Sequence, residues 1–309
     1  MPTLGDLLAT RPPPAVGPAT MGWQAKIRRA TGGLVRPRPG RYEMAHRRAV
    51  AAVQRSLNGP KTIVVLNPKG GAHKTTATFM LAATFGIHRG GYSLAWDNNE
   101  TRGTLGWRAL QARHTNTAVD LLDDLERFST SRAMVGDLDN FVRAQGQAQF
   151  DVLASDEDAA SAASIDDLAF NNLHRALSRF YRILVVDTGN NMRATNYRAA
   201  IEAADQLVIV STIRDDTANS AAWLADALTA QGYADKVRRA VTVLSAPSSE
   251  PDKALHARLH GHFSRVTRTV VDVPHDPSLV AGDPIDINAL NDSFREAWLM
   301  AAAEVADGL

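Results

Sequence analysis

A run of small, basic and hydroxyl residues at 69–76 carries the clearest chemistry in this chain. It reads Lys-Gly-Gly-Ala-His-Lys-Thr-Thr and lies between an apolar, β-branched run at 62–66 and a helical pattern that begins at Thr76. A strand, a glycine-containing turn and a helix N-terminus together favour an anion, because backbone N–H groups and the helix dipole point into the turn. Lys74 can reach terminal phosphates from this position, and the Thr75 hydroxyl can ligate Mg²⁺. The segment therefore predicts a nucleotide phosphate site.

Residues that could complete such a site stand at the ends of two other apolar runs. Asp97 ends one run and is soon followed by Asn99, and Asp187 ends another run shortly before Gly189. In a parallel sheet, ligands bind at the carboxyl ends of the strands. An acid at the tip of each strand, beside a phosphate loop, fits a metal and water site for phosphoryl transfer. We therefore predict that Asp187 holds Mg²⁺ through water and that the loop at Gly189 moves near a γ-phosphate.

The elements that must position these residues follow from hydrophobic periodicity. From Lys61 onward, apolar runs typical of strands buried on both faces alternate with helical patterns. This alternation predicts an α/β fold with a mostly parallel sheet and helices on both faces. The predicted strands are 62–67, 92–97, 150–154, 182–187, 206–212, 240–245 and 267–273, and the predicted helices are 74–88, 117–127, 162–178, 193–204, 216–230, 250–262 and 291–307.

Composition excludes several classes of function. The 309 residues are 45% hydrophobic and 22% charged, which is typical of a soluble globular protein, and none of them is Cys. Disulfides, thiolate metal ligands and iron–sulfur clusters are therefore excluded. The sequence shows no apolar run of bilayer length, and its first residues do not form a secretory signal. We expect a cytoplasmic protein without an integral membrane segment, with a peripheral position at the inner face of the plasma membrane left open.

Charge is spread unevenly along the chain. Residues 1–60 hold ten Lys and Arg against two acids, a net charge of about +8, which leaves about −7 on residues 61–309 of the total +1. We predict a basic, partly disordered N-terminal arm over 1–60 with short helices at 23–30 and 42–57, followed by the α/β domain over 61–309. A basic arm of this kind fits nucleic acid, anionic lipid or an acidic partner.

The helix at 23–30 leaves three interpretations open. Trp23 with Lys26, Arg28 and Arg29 fits an amphipathic membrane anchor, a helix that docks on a partner protein, or a solvated surface. One short helix with few large apolar residues binds a bilayer weakly by itself. We therefore favour docking on a partner.

The phosphate loop resembles the K-G-G-x-G-K-T-T loop of the MinD/ParA family of deviant Walker A ATPases. The resemblance runs from about Lys61 to the C-terminus and implies a P-loop NTPase fold that binds ATP and Mg²⁺. In that family the first lysine of the loop, here Lys69, reaches across an ATP-dependent homodimer to the partner's nucleotide. Asp97 matches the acid after the family's second strand, and Asp187 matches its Walker B acid. The implied roles are nucleotide contacts by Gly70, Gly71, Ala72, His73, Lys74, Thr75 and Thr76, metal contacts by Thr75 and Asp187, and catalytic roles for Lys69, Lys74, Asp97 and Asn99.

Looser matches resemble one branch of that family, the MinD-like ATPases associated with type VII (ESX-type) secretion in mycobacteria and related actinobacteria. These matches are Gly22-Trp23 beside a basic helix, the runs 102–106 and 273–277, and the ending 301–309. By the wider family resemblance, the runs 274–277 and 245–247 are adenine-side loops, and the first of them contains Pro274 and Asp276. The branch implies a dimerisation-switch ATPase with a protein partner in a membrane-associated secretion complex.

Two residues depart from the family pattern. His73 stands where the loop has Gly, and a Gly there permits positive φ and close approach of a phosphate. Asn99 replaces the second acid of the family's D-x-D, and an amide can orient a water molecule but cannot accept its proton. We therefore predict weak or partner-dependent ATP hydrolysis. Two alternatives stay open: a ParA-like partition protein that binds DNA non-specifically, and a pseudo-ATPase scaffold.

Overall fold

The structure is a computed structural model that describes residue 3 and residues 17–99, 103–128, 133–156, 158 and 165–309. The chain divides into two compact units, Met1–Arg48 and Ala49–Leu309. Arg102 and, apart from residue 3, the first sixteen residues of the predicted N-terminal arm lie outside the described residues. Within the described residues, no helix has both the length and the apolar character that crossing a bilayer requires.

One buried carboxylate links the two helices of the first unit. Helix α1 is Gly22–Ala30, and helix α2, Arg41–Val53, begins in this unit and ends in the second. Glu43 accepts hydrogen bonds from the backbone N–H and the hydroxyl of Thr20, each at 2.8 Å, and forms an ion pair with Arg47. Burial alone raises the pKa of Glu43, but these hydrogen bonds outweigh it and lower the pKa to about 2. The carboxylate therefore stays ionised inside the unit.

Eight strands form a single sheet in the second unit. They are β1 Lys61–Leu66, β2 Ser93–Asn98, β3 Arg143–Ala144, β4 Asp151–Leu153, β5 Ile183–Thr188, β6 Gln206–Thr212, β7 Val241–Ser245 and β8 Thr269–Val273. Their order across the sheet is β3-β4-β2-β5-β1-β6-β7-β8, and each neighbouring pair is parallel except β3 with β4. Because β2 lies on one side of β1 and β6 on the other, the winding of the sheet reverses at β1. Ligands bind at such a reversal, beyond the carboxyl ends of the strands.

Alternate residues of the central strands enter two hydrophobic cores, one on each face of the sheet. Val64 and Leu66 belong to one core and Ile63 and Val65 to the other, and all four are fully buried. Burial on both faces explains why the strands are continuous apolar runs in the sequence. The predicted α/β fold with a mostly parallel sheet is confirmed.

Helices cover both faces of this sheet. Helices α3 and α12 contribute to the core that contains Val65, while α7, α8, α9 and α11 contribute to the core that contains Val64. The helices of the second unit are α3 Lys74–Arg89, α4 Leu105–Arg108, α5 Ala118–Asp123, α6 Leu125–Phe128, α7 Asp167–Leu177, α8 Thr195–Ala203, α9 Asp215–Leu228, α10 Ala234–Arg239, α11 Lys253–Val266 and α12 Asp292–Asp307.

Several elements differ from the expectation drawn from periodicity. The predicted helix at 117–127 is two short helices that meet at Asp124. Strand β3 has two residues, too few to give an alternating pattern. The predicted helix at 216–230 ends earlier, at Leu228, and a wide turn that contains Gly232 at φ 95° follows it. Helix α2 ends at Val53 instead of residue 57, and the predicted helix at 162–178 begins at Asp167 in the described part of the chain.

Candidate functional site

Asn67 anchors the phosphate loop at the end of β1. Its amide group is fully buried and donates to the carbonyl oxygens of Val210 at 2.8 Å and Thr217 at 3.1 Å. Its Oδ1 accepts the backbone N–H of Lys69 at 2.8 Å. One side chain thus joins β1 and β6 to the first turn of the loop. The sequence analysis did not single out Asn67, although a polar residue that directly follows a buried strand was an available signal.

The loop enters helix α3 through a left-handed residue. His73 has φ 68° and ψ 28° and precedes the first residue of α3, and Gly71 has φ 79°. A side chain at positive φ costs about 1–2 kcal/mol relative to the right-handed region. The position that glycine holds in the family's loop thus has positive φ in this chain, and His73 holds the conformation at a cost in strain. A Cβ atom added at Gly70 or Gly71 meets no heavy atom within 4 Å, so that the interior of the loop is open.

A pocket of about 620 Å³ lies over this loop. The predicted residues Asn99, Pro274 and Asp276 line it together with the whole of 70–76. Lys69, Asp97 and Asp187 are not part of this lining: Lys69 is exposed, whereas Asp97 and Asp187 are buried beside the loop. The remaining lining residues are Thr104, Arg108, Asn190, Ser245, Ala246, Pro247, His275, Leu279, Val280, Phe294 and Trp298.

Lys74 is held at the base of the pocket by residues on two loops. Its ammonium group donates to Asn190 Oδ1 at 2.7 Å and to the Lys69 carbonyl oxygen at 3.4 Å. Lys74 is only 9% exposed, so its ammonium group interacts with the protein and the pocket and has little contact with bulk water. The sequence analysis did not include Asn190 in the site. Its position shortly after Asp187 was the signal that could have placed it in the site.

Thr75 contacts the acid at the end of β5. The Thr75 hydroxyl donates to Asp187 Oδ2 at 2.7 Å, while Asp187 Oδ1 is buried without a hydrogen-bond partner among the described residues. Asp97 is the register neighbour of Asp187 on β2, so two carboxylates stand side by side in the sheet. Burial, and then the charge of Asp97, raise the pKa of Asp187 to about 7, against the opposing effects of Lys74 and Thr75.

Asp97 is enclosed by the segment that follows β2. Its carboxylate accepts the backbone N–H of Leu105 at 3.1 Å and the side-chain amide of Asn99 at 3.3 Å. Burial raises the pKa of Asp97, and these hydrogen bonds act in the opposite direction. Gly103 lies directly against the carboxylate, because a Cβ atom built at Gly103 would overlap both carboxylate oxygens. The run 103–106 therefore packs around Asp97.

Asp276 joins the two ends of the segment that borders the pocket on its other side. Oδ1 of Asp276 accepts the backbone N–H and the hydroxyl of Ser278, at 3.0 and 2.7 Å, and Oδ2 accepts the Asn291 N–H at 2.7 Å. Burial raises the pKa of Asp276, but these bonds outweigh it and the pKa is lowered. Both carboxylate oxygens are therefore engaged by the protein. Leu279 and Val280 of the closed segment line the pocket.

Basic side chains gather near His73. The pKa of His73 is lowered, first because the pocket wall shields the ring from water and then because Arg108, His275 and Arg214 place positive charge near it. The ring remains accessible from within the open pocket. The sequence analysis assigned no role to Arg108 or to the side chain of His275, although both residues line the pocket. The pocket lining combines apolar side chains, such as Phe294 and Trp298, with basic ones, such as Lys74 and Arg108, which suits an anionic ligand that carries a flat, apolar part.

Comparison with solved structures identifies the fold. A ParA family ATPase from Chlorobium tepidum TLS superposes with a TM-score of 0.63 at 18% identity, covering 80% of this chain and 98% of that one. MinD of Pyrococcus furiosus gives a TM-score of 0.59 at 17% identity over the same shares. MinD of Pyrococcus horikoshii OT3 in complex with Mg-ADP gives 0.58 at 16% identity, covering 79% and 94%. The fold is that of the MinD/ParA P-loop NTPases.

Comparison with curated sequences gives a narrower similarity. The chain is 27% identical over 261 residues to the ESX-1 secretion-associated protein EspI of Mycobacterium tuberculosis, both in strain H37Rv and in strain CDC 1551. The match covers 83% of this chain but spans only 38% of the length of EspI. No family model matches the chain. Both resemblances expected from the sequence, to MinD/ParA ATPases and to a protein of type VII secretion, are confirmed as resemblances.

Proposed function

We propose that the chain binds ATP with Mg²⁺ in the pocket over the loop 70–76. The observation that carries the proposal is the Thr75–Asp187 hydrogen bond of 2.7 Å at the foot of a pocket lined by the whole loop. Solved neighbours support the ligand class, since one is described as a complex with Mg-ADP and another, a variant of McdA from Cyanothece, as an ATP complex. Lys74 would contact the terminal phosphates, and the loop N–H groups the others.

The residues around Thr75 fit a magnesium ion. Thr75 supplies a hydroxyl, and Asp187 has one buried carboxylate oxygen with no hydrogen-bond partner among the described residues. Two adjacent buried carboxylates, Asp97 and Asp187, repel each other unless a cation neutralises them. Mg²⁺ is a hard cation that prefers oxygen ligands and retains several waters, so Asp187 would hold it through water. The ion would neutralise the charge that develops on the phosphates.

We propose slow hydrolysis at this site. Asn99 lines the pocket and donates through its amide to Asp97, which fixes the side chain at the place where an attacking water would be oriented. An amide cannot accept the proton of that water, so Asn99 positions the nucleophile without acting as a base. Positioning and charge still accelerate phosphoryl transfer, because its transition state is loose. Turnover would therefore be weak unless a partner supplies a further group.

Lys69 supports a dimerisation switch. The side chain is exposed and lies outside the pocket lining, although its backbone belongs to the loop. An exposed lysine in this loop can act on the nucleotide of a second copy. We propose that ATP closes a homodimer through Lys69 and that hydrolysis or release opens it.

The similarity to EspI supports a role in type VII secretion. We propose that residues 61–309 form the switch ATPase, that the basic arm 1–60 assists docking, and that the closed dimer presents a surface to a protein partner at the cytoplasmic face of the membrane. The chain corresponds to 38% of the length of EspI, and the proposal concerns that part. A MinD neighbour from Aquifex aeolicus is described in complex with MinC, which supports partner binding by this fold.

Calorimetry with ATP and Mg²⁺ tests the proposal. We expect saturable binding by the natural chain and its loss in Lys74→Ala, with Lys253→Ala, an exposed lysine on α11, as the matched control. Absence of binding at saturating nucleotide would reject the ATPase and favour the pseudo-ATPase scaffold. Binding of ATP without release of phosphate would be compatible with the proposed dimerisation switch but would reject the proposed hydrolysis.

Light scattering tests the switch itself. We expect a dimer with a non-hydrolysable ATP analogue and a monomer with ADP, and we expect Lys69→Ala to remain monomeric with both. Dimerisation of Lys69→Ala equal to that of the natural chain would reject the role of this lysine.

A ParA-like partition protein is the second candidate function. The observation that favours it is the basic first unit, in which residues 17–48 hold eight Lys and Arg and one Glu. Non-specific DNA binding by such a protein weakens steeply as salt rises. The absence of DNA binding at low salt would reject it.

A further inference from the structure

The first unit exposes large apolar side chains. Leu34 is 92% exposed and Trp23 65%, and Ile27 and Val35 are also exposed. Single exposed apolar residues are ordinary, but four within a short segment form a patch that calls for a partner.

Two of these side chains, Trp23 and Ile27, lie on one face of α1, and Leu34 and Val35 follow in the turn after it. Trp23, Ile27 and Thr31 are spaced at i, i+4, and they lie on the side of the helix opposite the buried Ala25. The Thr31 hydroxyl donates to the Ile27 carbonyl oxygen at 2.9 Å and accepts the Val35 N–H at 3.3 Å. This hydrogen bond holds the backbone of Val35 at the end of the helix. Exposed apolar residues therefore continue from the helix into the segment that follows it.

The same part of the chain is rich in basic side chains, and exposed acids are absent from the described part of the unit. Residues 17–48 contain eight Lys and Arg, and their single acid, Glu43, is buried and ion-paired with Arg47. We call the exposed apolar and basic residues together the basic–apolar surface; it comprises Trp23, Lys26, Ile27, Arg29, Leu34, Val35, Arg36, Arg38, Arg41 and Arg48.

We propose that the basic–apolar surface binds a lipid bilayer that contains anionic lipid. Trp is favoured at the boundary between water and hydrocarbon, and Leu, Ile and Val gain free energy when they enter the acyl region. Each Lys or Arg held near an anionic membrane strengthens binding by about fivefold. A short helix alone binds weakly, but an apolar patch and several basic residues act together.

The composition of the patch distinguishes this partner from nucleic acid. Proteins that hold single strands combine basic residues with aromatic rings on which bases stack. Leu34, Val35 and Ile27 have no ring, and a duplex backbone offers them no apolar surface. The phosphate groups of lipids and of nucleic acids attract the same Lys and Arg, but only the bilayer also accepts aliphatic side chains. The proposal does not depend on nucleotide binding in the second unit.

Vesicle sedimentation with the full chain tests the proposal. The probes are vesicles of phosphatidylcholine alone and of phosphatidylcholine mixed with phosphatidylglycerol. We expect binding to the mixed vesicles only, with a decrease as salt rises. We also expect a blue shift of tryptophan fluorescence on binding that is lost in Trp23→Phe.

Two pairs of variants separate the apolar from the basic contribution. Lys26→Glu/Arg29→Glu should weaken binding at least about tenfold, whereas Lys253→Glu/Arg265→Glu, with the same change of net charge on exposed positions of α11, should not. Trp23→Ala/Leu34→Ala should weaken binding about tenfold or more, whereas Trp223→Ala/Leu168→Ala, at positions 60% and 66% exposed, should not. Circular dichroism verifies that each variant is folded.

Three outcomes would overturn the proposal. The first is no sedimentation with anionic vesicles at low salt. The second is equal loss of binding in the control variants, which would show an effect of net charge or of general hydrophobicity. The third is salt-sensitive binding to duplex or single-stranded DNA without binding to vesicles, which would assign the surface to nucleic acid. ATP binding measured on the same preparations keeps this result separate from the function proposed for the second unit.

Discussion

The ammonium group of Lys74 donates to Asn190 Oδ1 at 2.7 Å, and both residues line the pocket over the loop. Under the function proposed above, this neutral amide oxygen takes one of the positions that a phosphate oxygen would take on Lys74. Asn190 lies shortly after Asp187, so this hydrogen bond connects the Lys74 side chain to the loop that follows β5.

Replacing Asn190 should strengthen nucleotide binding. In Asn190→Ala the phosphate no longer competes with the amide for Lys74, and we expect ATP affinity to rise by about threefold to tenfold, as measured by calorimetry. Asn191→Ala is the control, because Asn191 is the adjacent residue and its side chain accepts the Arg193 N–H instead. Weaker binding in Asn190→Ala alone would show that Asn190 itself contacts the nucleotide.

Restoring glycine at position 73 should relieve backbone strain. His73→Gly removes a side chain from φ 68°, and we expect the free energy of unfolding to rise by about 1 kcal/mol, as measured by urea denaturation. Gln149→Gly, at φ 53°, should stabilise the protein by a similar amount. We expect only His73→Gly to tighten ATP binding. An equal effect of both variants on ATP binding would assign the change to general stability and not to the loop.

An alanine at position 103 should displace Asp97. The new Cβ would overlap the carboxylate, which cannot move freely because Leu105 N–H and Asn99 hold it. We expect Gly103→Ala to destabilise the protein by about 1–3 kcal/mol in thermal or urea unfolding. Gly136→Ala is the control, since a Cβ there meets nothing within 4 Å. Equal stability of the two variants would contradict the packing described for the run 103–106.

The buried acid on β5 should make stability depend on pH. Because the pKa of Asp187 is raised from 3.8 to about 7 in the folded protein, the folded state retains a proton that the unfolded state has already lost. Its contribution to stability is therefore favourable at low pH and is lost as pH rises from about 4 to about 7. In the nucleotide-free protein, Asp187→Asn should flatten this decline, measured by urea denaturation across that range.

Glu250→Gln, an exposed acid on a loop, serves as the control and should leave the pH profile unchanged. An Asp187→Asn profile parallel to that of the natural chain would show that this carboxyl does not titrate in the range. With Mg²⁺ and ATP present we expect the reverse trend, because the ion favours the charged carboxylate and binding should strengthen as pH rises through about 7.

The sequence by itself determined the sheet and the position of the phosphate loop. The continuous apolar runs at β1 and β5 require burial on both faces, and the residues 69–76 combine glycines, lysines and hydroxyls in an order that only a strand–turn–helix can use. The sequence also showed that His73 stands where the family's loop has glycine, the residue that permits positive φ most readily. These features are local, so that a short window of sequence contains them.

Only the tertiary structure decided which distant side chains meet at the site. Asn67 bonds to residues of β6 and α9, and Asn190 reaches Lys74, because the sheet brings chain segments more than a hundred residues apart to one edge. Asp276 instead closes a segment of its own by accepting the Asn291 N–H, 15 residues along the chain. The two-residue strand β3 and the turn at Gly232 were missed for a different reason. Each is too short to show a periodic pattern of hydrophobic residues. The exposed apolar residues from Trp23 to Val35 likewise required the fold, because a sequence shows which residues are apolar but not which of them stay uncovered.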